Sequence, residues 1–163
     1  MNIFIGNIIS LTAAGFMISS GVMKDRNRLF LFQTINALLL IVASLFFKSY
    51  AGIAALTATA VRNYAIYKDV YNKKVMTVCF VFTVLFGLLF NNRGLLGILP
   101  IIATGEYTVC SYYFKSIKET KISLIINLSL WVIYSFCIFD FSTALTDFMT
   151  VVLSFAWLIK DES

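Results

Sequence analysis

GIAALTATAVRNYAIYKD, residues 52–69, is a run of small and aliphatic residues that carries Arg62 six positions before Lys68. In a soluble protein such a run is a core helix; in a membrane protein it is a span. The arginine means something different in each solvent. The rest of the chain decides which solvent it is.

Hydrophobic residues make up 60% of the 163 and charged residues 13%. A soluble domain carries about 25% charged residues. The excess is gathered into seven apolar segments, roughly residues 3–22, 29–47, 51–67, 75–90, 95–113, 122–139 and 143–159. These approach the roughly 17–25 residues that cross a bilayer as helix, and the short ones should span with little tilt. The expected fold is an all-α membrane protein, one transmembrane domain of seven helices over residues 1–163. The first segment lacks a charged n-region and other spans follow it, so it reads as a span rather than a cleaved signal.

The net charge of +5 does not point to nucleic acid, because the cations sit in short links between apolar segments. The lipid bilayer is the expected partner. There is no histidine, which removes imidazole metal sites and histidine-activated nucleophiles. Cys79, Cys110 and Cys137 each fall in an apolar stretch without ligand spacing and read as small buried hydrophobes. No enzyme activity, cofactor or metal is expected.

Basic residues set the orientation. Lys24, Arg26, Arg28, Lys68, Lys73, Lys74, Lys115, Lys118, Lys121 and Lys160 fall on one side, against Lys48 and Arg93 on the other. Positive loops stay cytoplasmic, so the N-terminus is expected outside and the C-terminus in the cytoplasm. A shift of 91 residues lays the first three segments on the last three. Gly6 falls on Gly97, Lys24 on Lys115, Asn36 on Asn127, Leu39 on Leu130 and Ser44 on Ser135. The order of spans and basic clusters repeats with them. The plan is then two parallel three-helix repeats, 1–68 and 93–163, joined by a linker helix in 69–92.

The stretch LPIIATGEYTVCSYYFK (99–115), WVIYSF (131–136) and Ala60-Val61-Arg62-Asn63 resemble the YgjV family of small bacterial inner-membrane proteins. The resemblance covers nearly the whole chain, most closely from Leu99 onward. That family is in turn distantly similar to the SWEET sugar and PnuC vitamin-precursor transporters, which share the three-one-three plan. The resemblance implies a multi-pass protein of the bacterial inner membrane, and through SWEET-like relatives a homo-oligomer. It carries an acidic residue at the place of Asp147 and none at Glu106.

Inside a membrane an ionisable residue is a functional-site candidate by default. Arg62 either snorkels to the headgroups or faces the space between the two triplets, where its fork would hold a carboxylate or phosphate. Glu106, mid-way along the fifth segment, is too short to snorkel; it is either protonated or paired, with Arg62 at similar depth as the candidate partner. Asp147 is either a shallow residue near Asp140 or the outer end of a polar path. Asn36 and Asn127, related by the repeat, either bond neighbouring helices or line a solute site, and Gln33 joins them. Tyr64, Tyr107, Trp131 and Tyr134 offer stacking faces. Pro100, the one proline, is the candidate hinge, where SWEET-like proteins carry several.

The expected function is small-solute transport by alternating access between two bundles, with Arg62, Glu106, Asn36, Asn127 and Asp147 along the path of a small polar metabolite. The alternative is a non-transporting scaffold whose cytoplasmic cations attract anionic lipid or an acidic partner.

Overall fold

Polar backbone in an apolar solvent must bond to itself, and the computed structural model accordingly folds into helices linked by short turns. It describes residues 2–161; residue 1 and residues 162–163, part of the expected domain, lie outside the described residues. The helices are α1 (Ile3–Val22), α2 (Arg26–Phe47), α3 (Tyr50–Tyr67), α4 (Lys73–Leu89), α5 (Ile98–Tyr113), α6 (Ile117–Cys137) and α7 (Phe141–Asp161), with a 3-10 turn Gly94–Gly97 leading into α5. No strand occurs among the described residues.

Among the described residues five stretches are long and apolar enough to cross a membrane: α1, α2, Gly94–Tyr113, α6 and Phe141–Lys160. α3 and α4 fall below that mark where seven spans were expected. α4 has 17 residues, and α3 dilutes its apolar run with Arg62 and Asn63.

Several helices begin earlier than their apolar segments. Arg26, Arg28, Lys73, Lys74, Lys118 and Lys121 belong to helices rather than to the links where they were expected. The reason is capping, which satisfies N–H groups of the first turn before the apolar run begins. Asp25 accepts from Arg28 N, Asn72 from Val75 N, and Ser116 forms a capping box with Glu119.

Neighbouring helices pack in chain order, α1 on α2 on α3 and α5 on α6 on α7. The circle closes where α3 meets α5 and α1 meets α7, while α4 lies across α3 and α5. The result is a ring of six helices with α4 outside. α1, α3, α5 and α7 run one way; their starting end is termed the N face and the other the C face. Alanines and a glycine on α3 (Ala51, Gly52, Ala54, Ala55, Ala58) are buried and let its backbone approach its neighbours closely. Leu11, Val61, Ile102, Ile126, Leu145 and Phe155 are exposed on the outside, the surface a bilayer would cover. Cys79 is buried as expected, but Cys137 is exposed on the last turn of α6 and Cys110 half-buried. A thiol facing lipid has no water to avoid.

The turns at the N face repeat. Lys48 and Phe139, 91 residues apart, both adopt the left-handed conformation, with φ of 51° and 66°. Ser49 N donates to Ser44 O at 3.1 Å, and Asp140 N to Ser135 O at 2.9 Å. Each pair spans five residues and ends its helix through the same left-handed turn. Asn92 Nδ2 then bonds Lys48 O, as Asn7 Nδ2 bonds Phe139 O.

Candidate functional site

Two apolar clusters fill the ring. Towards the N face lie Leu40, Phe47, Leu56, Trp131, Tyr134 and Ile138 with several alanines; towards the C face lie Met17, Phe30, Ile66, Tyr107, Leu124 and Leu128. Between them runs a layer of polar side chains, Gln33 and Asn36 from α2, Arg62 and Asn63 from α3, Asn127 from α6 and Asp147 from α7. These line a cavity of about 30 Å³, room for one or two waters, with Tyr107 and Trp131 supplying aromatic walls.

Arg62 is only 1% exposed. Its guanidinium does not reach the headgroups; it turns into the ring. Nε and Nη2 both donate to Asn63 Oδ1, at 3.0 and 2.9 Å, and Nη1 donates to Thr108 Oγ1 at 3.0 Å and Thr104 O at 3.4 Å. The guanidinium carbon sits 4.5 Å from the centroid of Tyr107, a cation–π contact strengthened by the absence of water. No carboxylate of a described residue forms an ion pair with it.

An arginine only donates, so it imposes a direction on the bonds that follow. Asn63 must present its oxygen to Arg62, which leaves its amide nitrogen to donate to Gln33 Oε1 at 3.5 Å. Tyr107 OH donates to the same oxygen at 3.4 Å. Gln33 therefore turns its nitrogen away, and that buried Nε2 has no partner. The chain of bonds ends in a free donor.

Asn36 Nδ2 donates to Ala13 O at 3.1 Å and Asn127 Nδ2 to Ala103 O at 2.7 Å. Both asparagines bond a neighbouring helix and line the cavity. No described residue donates to either side-chain oxygen, nor to the carboxylate of Asp147, which is 3% exposed.

Glu106 lies elsewhere. Its Oε1 accepts from Ser123 Oγ at 2.8 Å on the α5–α6 side, and Oε2 is buried without a partner. Beside the Tyr107 ring, the residues of α5 that meet Arg62 are Thr104 and Thr108, which hydrogen-bond it. Glu106 stands two positions from either, about 200° round the helix, which is why it neither pairs with Arg62 nor lines the cavity. Pro100 occupies the first turn of α5, directly after the 3-10 turn. A first-turn N–H has no intrahelical partner, so Pro100 marks a junction rather than a kink inside a helix. Tyr64 is half exposed on the outside, beside Tyr67 and Lys68.

Asn63, Thr104 and Thr108 were not singled out from the sequence. Their signal was present: Asn63 adjoins Arg62, and the two threonines sit four apart on one helical face.

Polar contacts close both ends of the ring. At the C face Arg26, at the start of α2, donates through Nη2 to the terminal carbonyls of α5, Ser111 at 2.7 Å and Phe114 at 3.2 Å. Lys121, near the start of α6, donates to Gly21 O at the end of α1 and lies 4.8 Å from the Trp157 ring centroid. These bonds join α2 to α5 and α6 to α1. At the N face Ser49 and Tyr134 share a hydrogen bond of 2.6 Å, and Asp140 accepts from Ser10 at 3.0 Å. Burial pushes the Asp140 carboxyl up from its ordinary range, against hydrogen bonds from Thr143 and Ser10 that pull it down.

An apolar exterior, helices long enough to span and a polar layer sealed within the ring define a multi-pass helical membrane protein. The chain belongs to the Imp-YgjV family, described as bacterial inner membrane proteins, whose model matches residues 4–162. It is thus a protein of the bacterial inner membrane. No curated protein and no solved structure matches it.

Proposed function

We propose that the protein is a small-solute transporter or facilitator in which α1–α3 and α5–α7 act as two three-helix units that rock about the central cavity, with α4 as linker. In this reading all seven helices cross the bilayer, with the N face outside and the C face, where most cations lie, in the cytoplasm. The plan is that of SWEET-like and PnuC-like transporters. Several features support it: the two units contact each other through like helix pairs, α3 with α5 and α7 with α1, and the N-face turns repeat. The polar residues bind and pass a solute and make or break no covalent bond.

The observation that carries the reading is the incompletely satisfied polar layer. A polar layer serving only packing would be expected to satisfy its own groups, because each unpaired buried group costs about 1–3 kcal/mol. Here Gln33 Nε2 is unpaired, and Arg62 and Asp147 line a common cavity with no ion-pair partner among the described residues. A bound solute would supply what is missing.

The test is uptake of a broad metabolite mixture into proteoliposomes, read by mass spectrometry, with wild type beside Arg62→Ala and Arg62→Lys. One or more solutes should accumulate with wild type and be lost with both variants, since a lysine offers one nitrogen where the guanidinium sets three against Asn63 and Thr108. No accumulation above empty liposomes, across gradients and pH, would leave a non-transporting scaffold as the better reading.

A further inference from the structure

The geometry points to a small zwitterion, a solute bearing one carboxylate and one ammonium group, as the ligand of the central cavity. The inference rests on the transport reading and adds the chemical class of the cargo.

It follows from which groups lack partners and where they stand. Towards the N face Asn36 and Asn127 each keep a second amide hydrogen; towards the C face the unfilled donors are Gln33 Nε2 and one N–H on Nη2 of Arg62, since Nε, Nη1 and the other Nη2 hydrogen are already engaged. A carboxylate brings two acceptor oxygens to meet them. The unfilled acceptors are Asn36 Oδ1, Asn127 Oδ1 and the carboxylate of Asp147. An ammonium brings three donors to meet those.

The two charged groups are separated in depth. Asp147 lies in the second turn of α7, and Arg62 deep in the parallel helix α3. At 1.5 Å rise per residue the arginine is about 9 Å farther from the N face. Gln33 lies one turn nearer the C face than Asn36 on the same helix. The cavity thus has the Arg62 guanidinium towards the C face and the Asp147 carboxyl group towards the N face, with the two asparagine amides, each able to donate and accept, between them. A simple anion would set its charge in the same dry space as Asp147 and leave the acceptors unfilled. A simple cation would do the same to Arg62. A polyol could fill the hydrogen bonds but would leave both protein charges without a counter-charge. At about 30 Å³ the cavity holds one or two waters, so a ligand enters only as the two units part, and one of few heavy atoms asks the least opening.

The experiment is equilibrium binding to the full chain in lipid nanodiscs, with glycine, L-alanine and L-serine as zwitterions. Propionate, ethylamine and glycerol serve as matched solutes lacking one charge or both, and proteoliposome uptake of the same six is measured alongside. At least one amino acid should bind about 10-fold or more tighter than every matched solute, a difference of about 1.4 kcal/mol. Asp147→Asn should abolish the preference over propionate, and Arg62→Gln the preference over ethylamine. Propionate, ethylamine or glycerol binding as well as the amino acids would overturn the inference, as would binding of none of the amino acids. The wild-type panel decides this even if a variant fails to fold. An amino acid bound but never accumulated would uphold the class and sink the transport reading. Accumulation of another solute without amino-acid binding would do the reverse.

Discussion

Asn36 and Asn127 stand 91 residues apart and make the same bond, each amide nitrogen donating to a carbonyl of the helix before its own, Ala13 and Ala103. In each case the second helix of a triplet is pinned to the first at the level of the cavity. The arrangement ties the walls of the polar layer to the helix pairs that hold it.

Removing either asparagine should therefore loosen one helix pair. Asn36→Ala and Asn127→Ala are each expected to cost about 0.6–1.7 kcal/mol, the range of interhelical hydrogen bonds in membrane proteins. The two residues line one small cavity, so the double variant should depart from additivity by about 0.5 kcal/mol or more. Reversible unfolding in mixed micelles reads both numbers. A cost near zero at both sites would show that these bonds do not hold the pairs.

Arg26 and Tyr134 should control opposite ends of the ring. Arg26→Ala removes bonds to two carbonyls, and charge-assisted hydrogen bonds contribute about 1.5–3 kcal/mol. A shift of that size favours the C-face-open form by about 10-fold or more. In a cysteine-free background, Leu128→Cys should label correspondingly faster with an impermeant thiol reagent supplied at the C face. Tyr134→Phe, which breaks the bond to Ser49, should instead raise labelling from the N face. Equal labelling of all three proteins from both sides would refute the assignment of these contacts as closures.

Asp140 should make the protein lose stability as pH rises. Burial raises its folded carboxyl above the unfolded value, so below the ordinary carboxyl range both states hold the proton and the contribution is fully present. As pH climbs from about 4 towards the raised value, the unfolded chain ionises first and stability drains away. Asp140→Asn keeps an acceptor for Thr143 N and removes that dependence. Unfolding midpoints of the two proteins should move apart between pH 4 and 8 in favour of the variant; parallel curves would exclude Asp140 as the source.

Gly87 sets how closely α4 rides on α5. A Cβ there would lie 2.6 Å from Ile101 Cγ1 and 2.9 Å from its Cδ1. Gly87→Ala is expected to destabilise by about 1–3 kcal/mol through overpacking. Ile101→Ala should recover part of that loss in the double variant. A double-mutant cycle with no coupling would mean that α4 shifts freely, contrary to the packing described.

Much of the fold was legible in the chain. The lengths of the apolar runs locate the helices, while the caps Asp25, Asn72 and Ser116, which were not read from the sequence, start three of them ahead of those runs by satisfying backbone groups locally. The 91-residue spacing of Asn36 and Asn127 could be read from the sequence, and both bond the preceding helix. Less could be read of the site. Arg62 and Glu106 have similar depth in their segments, and depth alone made them candidate partners. Their azimuths differ, and only packing shows that α5 turns Thr104 and Thr108, not Glu106, towards α3.

What the sequence determined by itself was the solvent, the number of helices and the depth of each polar residue, since these depend on hydrophobic length and on rise along one helix. Tertiary structure decided which polar residues meet. Closing α3 onto α5 and α1 onto α7 chooses one face of every helix as interior. That choice depends on packing between segments up to 135 residues apart, as in the Asn7 to Ser142 contact at the ring's seam. No single segment carries that information: its own periodicity shows which residues share a face, and its neighbours alone determine where that face points.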